Sequence, residues 1–175
     1  MAQNPVTKQQ KVVIPNKHGE KLVGVLHETG SKEIVILCHG FTCNKENIIM
    51  VNLAVALEKE GITAFRFDFA GNGESEGTFE YGSYWREAED LRSVVEHFKA
   101  ENRVIPAVLG HSKGGRVVLL YASKYYDIGA VVNISGRYNM EGGVKERLGE
   151  DYMEVLKKDG FIDVENKSGN LPSTC

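Results

Sequence analysis

VIPAVLGHSKGGRVVLLYASKYY, residues 104–126, decides how the rest of the chain is read. A short apolar run ends at Leu109, a glycine-flanked serine follows, and a second apolar run of helical length begins after Gly115. The pattern predicts strand, sharp turn and helix. Gly110, Ser112 and Gly114 fit G-x-S-x-G, in which glycines let neighbouring backbone crowd a serine held at a strained φ/ψ. Such a turn lifts the serine Oγ clear of the sheet. The helix also aims its N-terminal N–H groups and positive dipole end at the same point, which stabilises an anion forming beside Ser112. The competing reading makes Ser112 only a small residue at a helix N-cap.

Upstream, KVVIPN and KLVGVLHE flank the turn residues Asn16, Lys17, His18 and Gly19, and predict an antiparallel hairpin after about ten disordered residues. EIVILCHG, residues 33–40, reads as a strand buried on both faces and delivers His39, Gly40, Phe41 and Thr42 to a loop. A helix over 46–60 follows, stopped by Gly61. ITAFRFDF is a further strand, running into the acidic, glycine-rich AGNGESEGTFEYG. Tyr84, Ala88, Leu91, Val95 and Phe98 recur at helical spacing over 83–100, and GAVVNIS, 129–135, is the last visible strand. Beyond Gly136, the residues Val144, Leu148, Tyr152, Val155 and Leu156 mark another amphipathic helix before the polar end. The alternation predicts an α/β fold, a mostly parallel sheet with helices on both faces. Its expected extent is one domain over 11–165, with an irregular tail at 166–175. In such sheets ligands sit at the carboxyl ends of the strands, here the loops after Cys38, Phe69, Leu109 and Ile134.

The totals narrow the function. The 175 residues carry a net charge of −3, with lysines and arginines scattered among acids, so no basic face for nucleic acid is expected. The longest apolar runs, IVILC and VVLLYA, are far short of the roughly 20 residues that span a bilayer, so no membrane partner is expected. The polar start MAQNPVTKQQ lacks the apolar core of a secretory signal, which predicts a cytosolic (cytoplasmic) protein. Cys38, Cys43 and Cys175 have no metal-ligand spacing; no metal is expected.

A serine hydroxyl attacks only once a base takes its proton, and the tetrahedral adduct needs hydrogen-bond donors for its oxyanion. The backbone N–H of Lys113 is one expected donor and that of Phe41 the other, with Gly40 keeping the approach uncrowded. His39 is expected mainly to shape its loop by packing and hydrogen bonding. HGFT at 39–42, RFDFAGNGESEG at 66–77 and GHSKGG at 110–115 together resemble the α/β-hydrolase superfamily. Within it they are similar to small serine-aminopeptidase-like and cinnamoyl- or feruloyl-esterase-like hydrolases, plant members included. The resemblance implies Ser112 as nucleophile, Phe41 and Lys113 as oxyanion donors, and hydrolysis of a carboxylic ester, less often an amide, with no cofactor. His39, Gly40 and His111 are its candidates for contacts with a small-molecule ester substrate.

One departure weighs against turnover. The superfamily's triad acid and histidine follow the serine on later strands, whereas His18, His27, His39, His97 and His111 all precede Ser112. Asp151, Asp159 and Asp163 lie downstream but follow no apolar strand. The sequence therefore reads as the fold without its last strands and helix, and as a chain nearly inert toward esters. The alternative is a truncated, non-catalytic form that binds a small molecule or a protein, with the strand at 129–134 as an open edge through which it associates.

Three smaller signals have ordinary explanations. AGNGESEG fails the dinucleotide pattern at Glu76, so Asp68, Gly71 and Gly73 are expected to hold a tight turn. Lys113 and Arg116 put positive charge at a helix start, where the dipole disfavours it; a solvated Lys113 is expected. Tyr81, Tyr84 and Trp85 could line an aromatic acyl site, with helix-to-sheet packing the favoured role.

Overall fold

The structure is a computed structural model describing residues 8–137 and 148–160. β1 (Lys8–Pro15) and β2 (Lys21–Glu28) form the predicted antiparallel hairpin. Asn16 closes it, its Oδ1 accepting the N–H groups of His18 and Glu20 at 2.9 and 3.0 Å, the side-chain turn that asparagine favours. Pairing starts at Lys8, ahead of the expected start at Lys11.

β3 (Ile34–Cys38), β4 (Thr63–Phe67), β5 (Ala107–His111) and β6 (Ala130–Ile134) complete a six-stranded sheet in the order β1-β2-β4-β3-β5-β6. β3 pairs parallel with β4 and β5, and β5 parallel with β6; only the hairpin side is antiparallel. Every residue of β3 and β4 is buried, including Thr63 and Arg66 of β4, as expected of central strands covered on both faces.

Alternation along β3 divides the core. Ile34, Ile36 and Cys38 join a cluster with Leu91, Val94 and Phe98 of α2 (Tyr84–Ala100) and with Val117, Val118 and Tyr121 of α3 (Lys113–Tyr125). Val35 and Leu37 point the other way, to Met50 and Ala54 of α1 (Ile48–Lys59). Each large side chain so buried contributes about 1.5–3 kcal/mol, and the two clusters clamp the central strands whose ends carry the loops. α1 begins later than its expected start at Glu46, because Asn47 is its cap and accepts the Ile49 N–H at 3.0 Å.

β6 is the edge. Ala130, Val132 and Asn133 are exposed, and among the described residues no strand pairs with its outer side. The strand carries no charge, whereas the opposite edge, β1, holds Lys11 and Pro15, residues that discourage further pairing.

The chain divides into two compact units at Gly136. The sheet and α1 to α3 belong to the first. In the second, the described residues form α4 (Tyr152–Asp159), ended by Gly160 at φ 81°. The expected helix through Leu148 is interrupted: Gly149 takes φ 94°, so α4 starts at Tyr152. Val144 and Asp163 lie outside the described residues. Among those residues no helix is long and apolar enough to cross a membrane.

Candidate active site

β5 ends at His111 and α3 begins at Lys113, leaving Ser112 as the whole turn. Its backbone sits at φ 52°, ψ −112°, a conformation that costs a residue with a β-carbon on the order of 1–3 kcal/mol. Packing enforces it. A Cβ on Gly110 would strike the Gly114 carbonyl, and one on Gly114 would strike the carbonyls of Cys38 and His39, so α3 presses onto β5 and onto the end of β3. The Ser112 N–H donates to Ile134 O at 2.8 Å and its carbonyl accepts the Gly115 N–H at 3.1 Å. The N-cap alternative fails, since the Ser112 side chain makes no capping hydrogen bond and its φ/ψ is not that of a cap. Thr42 (φ 52°) after β3 and Ser135 (φ 55°) after β6 are strained in the same sense. Positive φ in non-glycine residues thus recurs at the carboxyl ends of three parallel strands.

The loop after β3 lies beside this turn: a Cβ on Gly40 would sit 3.5 Å from Ser112 Cβ and 3.3 Å from His111 Nδ1. His111 is half-buried there, against the glycine. His39 is fully buried, Nδ1 2.8 Å from Gly40 O, while Nε2 accepts the Phe69 N–H at 3.2 Å. A carbonyl accepts and an N–H donates, so the proton is on Nδ1 and the ring is neutral. Burial, helped by the charge of Lys113, pushes its pKa down to about 3. The ring lies beneath the loop with both nitrogens engaged, and it shapes the loop. Because C=O and N–H of one planar trans unit point oppositely, fixing Gly40 C=O toward the buried ring turns the Phe41 N–H away from it.

Lys113 also departs from expectation. Its side chain is not solvated; it is buried with Nζ 5.2 Å from the Phe69 ring centroid and paired to Glu87 Oε1 on α2. Burial raises the Glu87 carboxyl above its ordinary range, against the pull of the Lys113 charge. Glu87 Oε2 has no hydrogen-bond partner among the described residues. The Lys113 backbone N–H, first in its helix, has no acceptor among them either. Sequence reasoning missed Glu87, although it stands on the buried stripe with Leu91, Val94 and Phe98, where a carboxylate is out of place. Lys45 was missed too. Buried Asp68 accepts the Lys45 N–H at 2.6 Å, its Nζ at 2.8 Å and the Glu74 N–H at 2.9 Å. Asp68 thereby ties the loop after β3 to the loop after β4, and Gly71 and Gly73 make the predicted turn at φ 75° and 52°.

No histidine is hydrogen-bonded to Ser112 Oγ among the described residues. His27 is held between Glu58 (2.7 Å) and Arg66 (3.0 Å), His18 lies 4.0 Å from Glu89, and His97 3.5 Å from Glu101. Asp151 is the N-cap residue of α4 and Asp159 its last residue, both in the second unit. Of the aromatic candidates, Tyr84 packs on the core and accepts from Arg116 at 3.0 Å, while Trp85 is exposed beside Lys124. Tyr81 instead joins Phe79 around Phe41, with ring centroids 5.3 and 5.7 Å from it. Tyr81 and Phe79 are 55% and 38% exposed, so this cluster opens to solvent next to the loop after β3.

The family model described as serine aminopeptidase, S33, matches residues 29–157. Protein phosphatase methylesterase 1 of Candida albicans is 28% identical over 111 residues, 63% of this chain and 30% of that protein. Among solved structures, the Pyrococcus furiosus esterase Pf2001 matches with a TM-score of 0.71 at 26% identity, over 87% of this chain and 59% of its own. Est1E of Butyrivibrio proteoclasticus, solved with ferulic acid bound, matches with a TM-score of 0.63 at 29% identity, over 70% and 51%. The chain thus spans from 30% to 59% of the length of these relatives. Because that family model matches residues 29–157, well over half of the chain, and the solved esterase superposes on 87% of it, the chain belongs to the serine aminopeptidase S33 family of α/β hydrolases.

Proposed function

We propose that Ser112 is the nucleophile of a serine hydrolase acting on carboxylic esters, with an aromatic or apolar acyl group favoured. The observation that carries this reading is the Ser112 backbone at φ 52°, ψ −112° with no capping bond: strain is kept there although nothing in the helix uses the side chain. Oγ attacks the acyl carbon as its proton passes to solvent water, the carbonyl electron pair moves to oxygen, and that oxyanion accepts from the Phe41 and Lys113 N–H groups. Collapse expels the alkoxide, which takes a proton from water to become the alcohol, and leaves acyl-Ser112, which water then hydrolyses. The solvent-open Phe41, Phe79 and Tyr81 cluster supports the acyl preference, as does Est1E with its bound ferulic acid.

The proton on Oγ has no acceptor among the described residues. Loss of a triad histidine costs on the order of a millionfold in turnover and leaves roughly a thousandfold over water, so this chain alone acylates slowly. A fluorophosphonate reagent, whose fluoride leaves as the Oγ–P bond forms, tests the reading by intact mass. Slow labelling that maps to Ser112 and vanishes in Ser112→Ala supports it. A folded protein that takes no label supports the second reading, a binding module with the uncharged edge β6 as its contact surface.

A further inference from the structure

Lys113 stands where two effects oppose a cation. The first turn of α3 presents the positive end of its dipole, and the side chain is only 6% exposed, so its ammonium gives up most of its water. A lysine held there needs its counter-ion, and Glu87 of α2 supplies it through Oε1 while Oε2 makes no other bond. The carboxylate is therefore committed to this one ammonium. The two residues come from different helices that meet on the same core cluster, so the pair fixes the start of α3 sideways, at the residue whose backbone N–H follows Ser112.

We propose that Glu87 is a positioning residue of the active site: by holding the Lys113 side chain in the core, it sets the direction of the Lys113 N–H toward an oxyanion on Ser112. This rests on the nucleophile reading above. His39 fixes the Gly40–Phe41 peptide from beneath, and Glu87 does the same for the other donor through Lys113. The N–H is aimed by a buried side-chain pair, not by the turn alone.

Phenylboronic acid is the probe, because its adduct needs no leaving-group chemistry: the Oγ–B bond forms, the hydroxyl proton passes to water, and a tetrahedral boronate anion results. Adduct formation is followed by 11B NMR, with folding followed separately by urea unfolding. Glu87→Gln leaves Lys113 buried without its charge partner and could unfold the chain, so the deciding variant is Glu87→Leu with Lys113→Met, which removes both charges and keeps the volume. The expected result is an unfolding midpoint close to wild type with an adduct dissociation constant about tenfold higher, the loss that follows misaimed donors. An unchanged dissociation constant in the folded double variant, with an adduct present in wild type and absent in Ser112→Ala, overturns the positioning role alone. No adduct in wild type overturns the Ser112 reading and this role with it.

Discussion

At the residue scale, His39 shows how burial and two hydrogen bonds decide a protonation state. Its folded pKa of about 3 lies below the ordinary 6.5, so as pH falls the unfolded chain takes a proton that the folded chain refuses. The stabilisation is complete above pH 6.5 and is lost as pH falls from there toward about 3, at up to about 1.4 kcal/mol per pH unit. Urea unfolding between about pH 7 and about pH 5.5 should show wild type losing roughly 1–2 kcal/mol more than His39→Asn; equal losses would mean the ring is not held neutral. Single residues were unevenly legible in the sequence. The turn at Ser112 was readable because its glycines sit at fixed offsets. The solvated Lys113 was misread because its partner is 26 residues away on another helix, and only packing brings them together. Glu87 did leave a trace, one of two acids, with Asp90, on the inward side of a helix whose other buried residues are apolar.

Elements were more legible than contacts. All six strands and α1 to α3 were readable from apolar runs and turn residues, because strand period and helix period differ so plainly in this chain. The misses have local causes: Asn47 delays α1, and Gly149 in the left-handed region separates Leu148 from α4. The approach of α3 to β3 was legible only as a need for glycine, and its closeness gives a prediction. Gly114→Ala puts a methyl group into the backbone carbonyls of Cys38 and His39, which cannot rotate aside as a side chain would. Urea unfolding should show a loss of about 1–3 kcal/mol; an unchanged midpoint would show that α3 does not press on β3 as described.

Across the whole molecule, the topology gathers three of the five described non-glycine residues at positive φ at one end of the sheet. Thr42, Ser112 and Ser135 follow β3, β5 and β6, which are adjacent and parallel, so one end collects three pieces of unfavourable backbone that the clamped core holds in place. That Ser112 would lie there was legible from the order of strands and helices, and that every histidine precedes it was legible from the sequence directly. If Ser112 is a nucleophile that lacks an imidazole of its own, an imidazole supplied from solution should serve it. Release of nitrophenolate from p-nitrophenyl acetate is measured against free imidazole, with Ser112→Ala subtracted to remove the reaction of imidazole in solution. Little Ser112-dependent release is expected without imidazole, with a Ser112-dependent rate that rises with its concentration. Full turnover in its absence, or a rate identical in wild type and Ser112→Ala at every concentration, would contradict this expectation.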